Sequence, residues 1–202
     1  MSAETALTIS PALCDRAQAI VKALKATGDS IVTAESCTAG LVAAVLSRAD
    51  GAGDLLHGGF VTYTKDHKIK ALGVSPELLA ERGAVNEEVV EQMATGALNR
   101  SPASLSVAVS GVLGPEEDED GNPVGRVYFC ARAKGKAPII VHEDWGRESP
   151  EVLMRRTIAR AFDLIEALLL ERPSPAQEHG VSRKVLDGRL ERGGGTNRGG
   201  AG

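Results

Sequence analysis

Aromatic side chains are scarce: one Trp, two Tyr and three Phe in 202 residues. A core made almost without rings must come from Ala, Val, Leu and Ile, which suits helices packed on a Val- and Ile-rich sheet. Cysteine is as sparse, with Cys14, Cys37 and Cys130 widely spaced and no C-x-x-C. An odd, dispersed set excludes a disulfide framework and a cysteine zinc cluster, and points to a reducing compartment. No apolar run approaches the ~18 residues of a membrane span, and the N-terminus lacks the basic-then-apolar order of a secretory signal. A cytoplasmic protein without membrane association is expected. Positive charge is also lacking. A formal net charge of -4 argues against a nucleic-acid partner, which needs a basic surface to displace counterions, although one local pocket for a single phosphate stays open.

What is present is a regular alternation of elements. Leu13, Ala17, Ile20, Val21 and Leu24 recur at helical spacing over 12–27, stopped by Gly28. Residues 30–33 read as a strand, and the polar turn Glu35-Ser36-Cys37-Thr38 leads into a helix through Leu41, Val42, Val45 and Leu46. Residues 59–64 read as a second strand flowing into a helix over 66–72. Ser75-Pro76-Glu77 and Asn86-Glu87-Glu88 are helix starts, with a capping side chain followed by acids in the first turn. Residues 105–110 form a third strand. Strands over 125–134 and 138–144, joined at Gly135-Lys136, form an antiparallel hairpin. Ser149-Pro150-Glu151 opens a final helix with Met154, Ile158, Ala161, Ile165 and Leu168 on one face. The pattern is α/β, a mixed sheet covered by helices on both faces. The domain spans 12–172, after an N-terminal extension of residues 1–11. A Gly-, Arg- and Glu-rich tail over 173–202 buries too little to offset its ordering entropy and is expected to be disordered. A homo-oligomer would follow if an apolar helix face were left exposed, which one sequence leaves open.

Ser36 is the first candidate for chemistry. A serine in a strand-to-helix turn can present its hydroxyl beside backbone amides that face a developing oxyanion. The plainer reading is a helix N-cap, a duty that Thr38 can take instead. A serine needs a base, and His57, His67, His142 and His179 stand in no recognisable triad. Lysine is the alternative, because a desolvated amine can be neutral near pH 7. Lys68 follows the strand ending near Tyr63, and the two polar tips can share one sheet edge, with Tyr63 relaying a proton or holding the amine. The plainer reading is a half-buried strand tyrosine and a solvated lysine. Cys37, at a helix start, is the rival nucleophile. The loop Ser110-Gly111-Val112-Leu113-Gly114-Pro115 follows a strand, where ligands collect in open α/β sheets, and its glycines let the backbone approach a phosphate or ribose. An ordinary turn explains it equally well. Glu116 to Asp120 reads as a solvated acidic loop, without the glycine and terminal glutamate of a calcium loop, so no metal site is expected.

Taken together, Thr33-Ala34-Glu35-Ser36-Cys37-Thr38-Ala39-Gly40, Gly59-Phe60-Val61-Thr62-Tyr63 with Lys68, Gly83-Ala84-Val85, Ser110-Gly111 with Gly114-Pro115, and Pro123-Val124-Gly125 resemble the CinA C-terminal domain family. Its enzymatic members are nicotinamide mononucleotide deamidases. The resemblance runs from about residue 12 to 170. It implies a three-layer α/β/α sandwich that hydrolyses the nicotinamide amide of a small-molecule substrate, nicotinamide mononucleotide, without metal or organic cofactor. Ser36 would be the nucleophile, Lys68 its base and Tyr63 an assistant. Thr38, Gly40, Ser110, Gly111 and Gly114 would border the substrate, and Arg147 or Arg155 would meet its phosphate. Three places depart from the family pattern. Ala39 stands for a glycine, Leu113-Gly114-Pro115-Glu116-Glu117-Asp118 replaces a glycine-rich continuation, and Gly146-Arg147-Glu148-Ser149-Pro150 replaces a Gly-Asp-Arg entry to the last helix. A catalytically silent binding module linked to competence or DNA damage, and an amidase for another small amide, are the alternative functions.

Overall fold

Side chains alternate along the strands between two separate cores, and that alternation sets the layers. The computed structural model describes residues 10–171; the expected tail, His179 and nearly all of the N-terminal extension lie outside them. The strands are β1 (Ile31–Glu35), β2 (Leu56–Val61), β3 (Leu105–Gly111), β4 (Arg126–Ala133) and β5 (Ile139–Asp144). They form one sheet in the order β2-β1-β3-β4-β5. β1 runs parallel to β2 and β3, whereas β4 is antiparallel to both β3 and β5. The sheet is mixed, as the late hairpin predicts.

Ile31, Leu105, Val107, Val109, Val127 and Phe129 point into the larger core. Helices α1 (Pro11–Thr27), α2 (Leu41–Leu46) and α7 (Pro150–Leu170) close it. Val32, Ala34, Ala108 and Cys130 point the other way, onto α6 (Glu87–Asn99). Two further helices, α3 (Ala52–Leu55) and α5 (Pro76–Arg82), lie in the crossovers, together with one turn of α4 (Lys65–His67). The result is three layers. Among the described residues, no helix is long and apolar enough to cross a membrane.

Sequence spacing places most elements within a few residues. Three local differences matter. β1 extends through Glu35, because that carboxylate is buried and bonded rather than free in a turn. β2 starts at Leu56 and ends at Val61, which leaves Thr62 and Tyr63 beyond the strand end. The helix expected over 66–72 is one turn of α4 that continues as a π turn, Lys68–Leu72, closed by Gly73 in the left-handed region at φ 73°. Widened turns of this kind recur at functional sites, because the inserted residue re-aims a side chain.

Gly96 of α6 shows how tightly that π turn is held. A Cβ there would overlap the Leu72 carbonyl, a backbone group that cannot swing aside. Gly96→Ala is therefore expected to destabilise the fold by about 1–3 kcal/mol through overpacking, despite alanine's better helix propensity. Gly53→Ala in α3, where a Cβ meets nothing within 4 Å, is expected to be neutral or stabilising by up to about 1 kcal/mol. Urea unfolding of the two variants beside the parent checks the contrast.

Candidate active site

The carboxyl ends of β1, β2 and β3 meet along one edge of the sheet. The chain leaves β1 for β2 on one side and later returns to β3 on the other, so this edge is a topological switch point, where open α/β sheets bind ligands. Two backbone bonds extend the pairing past the strand ends: the Ser36 amide donates to the Val109 carbonyl at 3.0 Å and the Thr62 amide to the Glu35 carbonyl at 2.8 Å. A cavity of about 740 Å³ opens here, with Ser36, Cys37, Tyr63, Lys68 and Ser110 among its lining residues.

Lys68 is the unusual member of this group. Its side chain is wholly buried, at 0% exposure. The amine donates to Ser36 Oγ at 2.8 Å and to the Thr62 carbonyl at 2.8 Å. Neither partner carries charge. Burial therefore drives the ammonium down from its ordinary 10.5 to about 8, with a smaller push from nearby Lys65. The solvated lysine of the plainer reading does not occur. Cys37 is displaced in the opposite sense: burial pushes its thiol up to about 12, which keeps it protonated and a poor nucleophile at neutral pH.

Ser36 sits in a turn fixed by Glu35, the group that sequence reasoning missed. Glu35 is fully buried, and its Oε1 accepts from Thr33 Oγ1 and the Ala43 amide at 2.9 Å each. Oε2 accepts from Thr38 Oγ1 at 2.7 Å and the Val42 amide at 3.0 Å. The carboxylate thus caps α2 from the preceding strand, one turn away from the usual capping position. Thr33 and Glu35 are two apart on one face of β1, with Thr38 three residues on. That polar spacing was the available signal.

The remaining expected site residues divide. Thr38 is buried and its hydroxyl belongs to Glu35. The first amides of α2 are likewise occupied, so that helix start is no anion site. Gly40, at φ 94°, adopts a conformation that suits glycine and lies against Val61. Ser110 lines the cavity, but its hydroxyl donates to the Ala84 carbonyl at 2.7 Å. Gly111 is small because β4 lies against it: a Cβ would stand 2.6 Å from the Arg126 carbonyl oxygen. Gly114, at φ 103°, shapes the loop beside the cavity. Tyr63 lines the cavity and is 69% exposed. Among the described residues its hydroxyl bonds neither Ser36 nor Lys68, so the Thr62 carbonyl holds the amine in its place. Arg147 stands outside the lining and donates to the Pro115 carbonyl at 2.7 Å. Arg155 is exposed on α7 and does not reach the cavity. His57, His67 and His142 are exposed and outside the lining.

The acidic run is not simply solvated. The Asp118 carboxylate accepts from the Asp120 and Asn122 amides and from Asn122 Nδ2. Asp120 takes the Ala84 amide at 3.1 Å and the Lys65 ammonium at 2.7 Å, and Glu119 takes Lys65 at 2.9 Å. The loop is pinned across the cavity mouth. Among the described residues, no group of three or more His, Cys, Asp or Glu side chains is placed to hold a metal ion.

Comparison with known proteins gives one consistent result. Residues 14–169 match the model of the CinA C-terminal domain. Nicotinamide-nucleotide amidohydrolase PncC of Escherichia coli K12 is 42% identical over 125 residues, which cover 61% of this chain and 76% of that protein. A putative competence-damage inducible protein of Symbiobacterium thermophilum is 44% identical over 119 residues, covering 59% of this chain but 28% of that longer protein. The crystal structure of the competence/damage inducible protein CihA from Agrobacterium tumefaciens superposes with a TM-score of 0.74 at 33% identity, covering 84% of this chain and 98% of that one.

The depressed Lys68 pKa makes a stability prediction. Below about pH 8 the amine is protonated in both folded and unfolded chains, and the full cost of a buried ammonium is present. Between about 8 and 10.5 the unfolded chain holds the proton and the folded one does not, so stability rises with pH. Lys68→Met is expected to be more stable than the parent at pH 7 by about 1–3 kcal/mol. Its advantage should shrink as pH climbs through that window. Denaturant titrations at pH 7, 8.5 and 10 measure it.

Proposed function

The chain belongs to the CinA C-terminal domain family, and from that premise we propose that it is a nicotinamide-nucleotide amidohydrolase. It would hydrolyse the carboxamide of nicotinamide mononucleotide to a carboxylate and ammonia, with Ser36 as nucleophile and Lys68 as base. The observation that carries this reading is the 2.8 Å contact between Lys68 Nζ and Ser36 Oγ, with the amine buried. The similarity to PncC supports the substrate class.

The order of events follows from the two protonation states of Lys68. With a pKa of about 8, roughly one amine in ten is neutral at pH 7, against roughly one in three thousand at the ordinary value. The neutral amine takes the Ser36 proton as Oγ attacks the amide carbon. The carbonyl electrons move onto oxygen, which backbone amides around Thr38 or in the Ser110 loop would stabilise. Such donors are worth most where charge develops. The Lys68 ammonium then gives its proton to the amide nitrogen. The C–N bond breaks, ammonia leaves, and an ester remains on Ser36. Water attacks that ester with Lys68 again accepting a proton, and Ser36 regains its hydrogen as the carboxylate departs. The Thr62 carbonyl keeps the amine aimed throughout. Tyr63, exposed on the cavity wall, is an aromatic group that a pyridinium could contact.

Ammonia release from nicotinamide mononucleotide tests the assignment. Ser36→Ala and Lys68→Met are expected to lower kcat/KM by a factor of about a thousand or more while circular dichroism stays unchanged. Cys37→Ala should remain within about threefold of the parent, because its thiol is held protonated. The kcat/KM of the parent should rise with pH to a plateau governed by a group near 8. A folded parent that releases no ammonia from nicotinamide mononucleotide or from its dephosphorylated nucleoside would overturn the proposal.

A further inference from the structure

The cavity beside Ser36 is acidic, in keeping with the departure of residues 113–118 from the family pattern. Among the described residues its lining holds six carboxylates, Asp66 and Glu116 to Asp120, against two lysines, Lys65 and Lys68, with no arginine or histidine; Asp66 is paired with Lys70 at 2.8 Å, so the acidic wall is the run Glu116 to Asp120. Neither lysine is available to an anion. Lys65 is bound by Glu119 at 2.9 Å and Asp120 at 2.7 Å. Lys68 is buried, committed to Ser36 and Thr62, and partly neutral. Arg147, just outside, donates to Pro115 and faces Glu116 at 3.7 Å. Glu117 lines the cavity without a partner among the described residues. The start of α2, next along the chain from Ser36, has its Val42 and Ala43 amides taken by the buried Glu35 side chain, so it offers them to no phosphate.

We propose that this acidic wall sets the substrate's charge: among N-ribosylated pyridinium carboxamides, the enzyme prefers the cationic nucleoside to its 5′-phosphate. The preference rests on the amidohydrolase reading and narrows it. The nucleoside carries one positive charge on the ring. The nucleotide adds a phosphate of nearly two negative charges, which must enter a cleft walled by carboxylates. Low-dielectric walls focus such fields, and like charges facing each other reject a ligand that otherwise fits. Apolar Val112 and Leu113, also in the lining, accept a ring as readily as before, so discrimination falls on the phosphate alone.

Ammonia release from nicotinamide riboside and from nicotinamide mononucleotide, at low and at about 0.5 M salt, is the measurement. The parent is expected to show a kcat/KM for the riboside at least about tenfold above that for the nucleotide. High salt should narrow the gap by speeding the nucleotide. Glu116→Gln with Glu117→Gln, both exposed and outside the catalytic pair, should raise nucleotide turnover severalfold and leave the riboside nearly unchanged. Glu117→Gln alone serves if the double variant is misfolded. A nucleotide turned over as well as the riboside, or a ratio indifferent to salt and to these substitutions, overturns charge selection and leaves the amidohydrolase reading standing. Release from neither substrate sinks that reading instead. Charge selection is then decided by calorimetric binding of the same two compounds to the Ser36→Ala protein: tighter riboside binding upholds it, and equal or tighter nucleotide binding overturns it.

Discussion

An amine sealed from water and given only a hydroxyl and a carbonyl as company is the constraint around which this fold is arranged. Lys68 is wholly buried and meets Ser36 and the Thr62 carbonyl, with no carboxylate bonded to it. A carboxylate partner would have stabilised the ammonium and raised its pKa, removing the basicity that the proposed reaction draws on at neutral pH. The protein instead bears the cost of a buried charge below pH 8. That cost is tolerable only because the surrounding scaffold is rigid. Gly96 brings α6 against the π turn that carries Lys68, and Glu35 holds the opposite wall.

The same burial sorts the two adjacent nucleophiles. Cys37 and Ser36 are neighbours in one turn, and a thiol is intrinsically the more reactive. Desolvation raises the thiol to about 12 and lowers the lysine to about 8, since both lose the charged form on leaving water. The thiolate is thereby suppressed by the very effect that frees the amine. Only the hydroxyl touches that amine at 2.8 Å. Position therefore supports the serine as the nucleophile of the proposed reaction.

Much of this could be read from the chain. The amphipathic periods of α1 and α7, the capped start of α6, the glycine stop after α1 and the late hairpin lead directly to a mixed sheet with two covered faces. The turn motif and the family resemblance single out Ser36 and Lys68. What escaped was non-local or backbone-borne. A five-residue π turn has no periodicity that separates it from an α-helix, so the aim of Lys68 was invisible. The Thr62 carbonyl has no side-chain signature. Glu35 looked like a turn residue because charge normally marks a surface, and its four donors come from Thr33, Thr38 and the start of α2. Arg155 was a candidate only as a basic side chain for the phosphate that the resemblance implies; its place along α7 puts it in solvent.

The acidic loop raises a further question, whether six carboxylates at the cavity would undo the lysine's low pKa. Their placement answers it. Lys68 responds chiefly to burial, then to Cys37 and Lys65, and none of the loop acids figures among the causes. Glu119 and Asp120 spend their charge on Lys65, which itself pushes Lys68 downward. The lysine pair thus separates two electrostatic regions. The inner one is shielded from water and lowers the Lys68 pKa, while the outer one is acidic and lines the cavity. A charge changed on the outer loop should alter which substrate arrives far more than it alters how Ser36 is activated. In this chain the acidic loop beyond Pro115 and the Ser36–Lys68 contact therefore stand together without conflict.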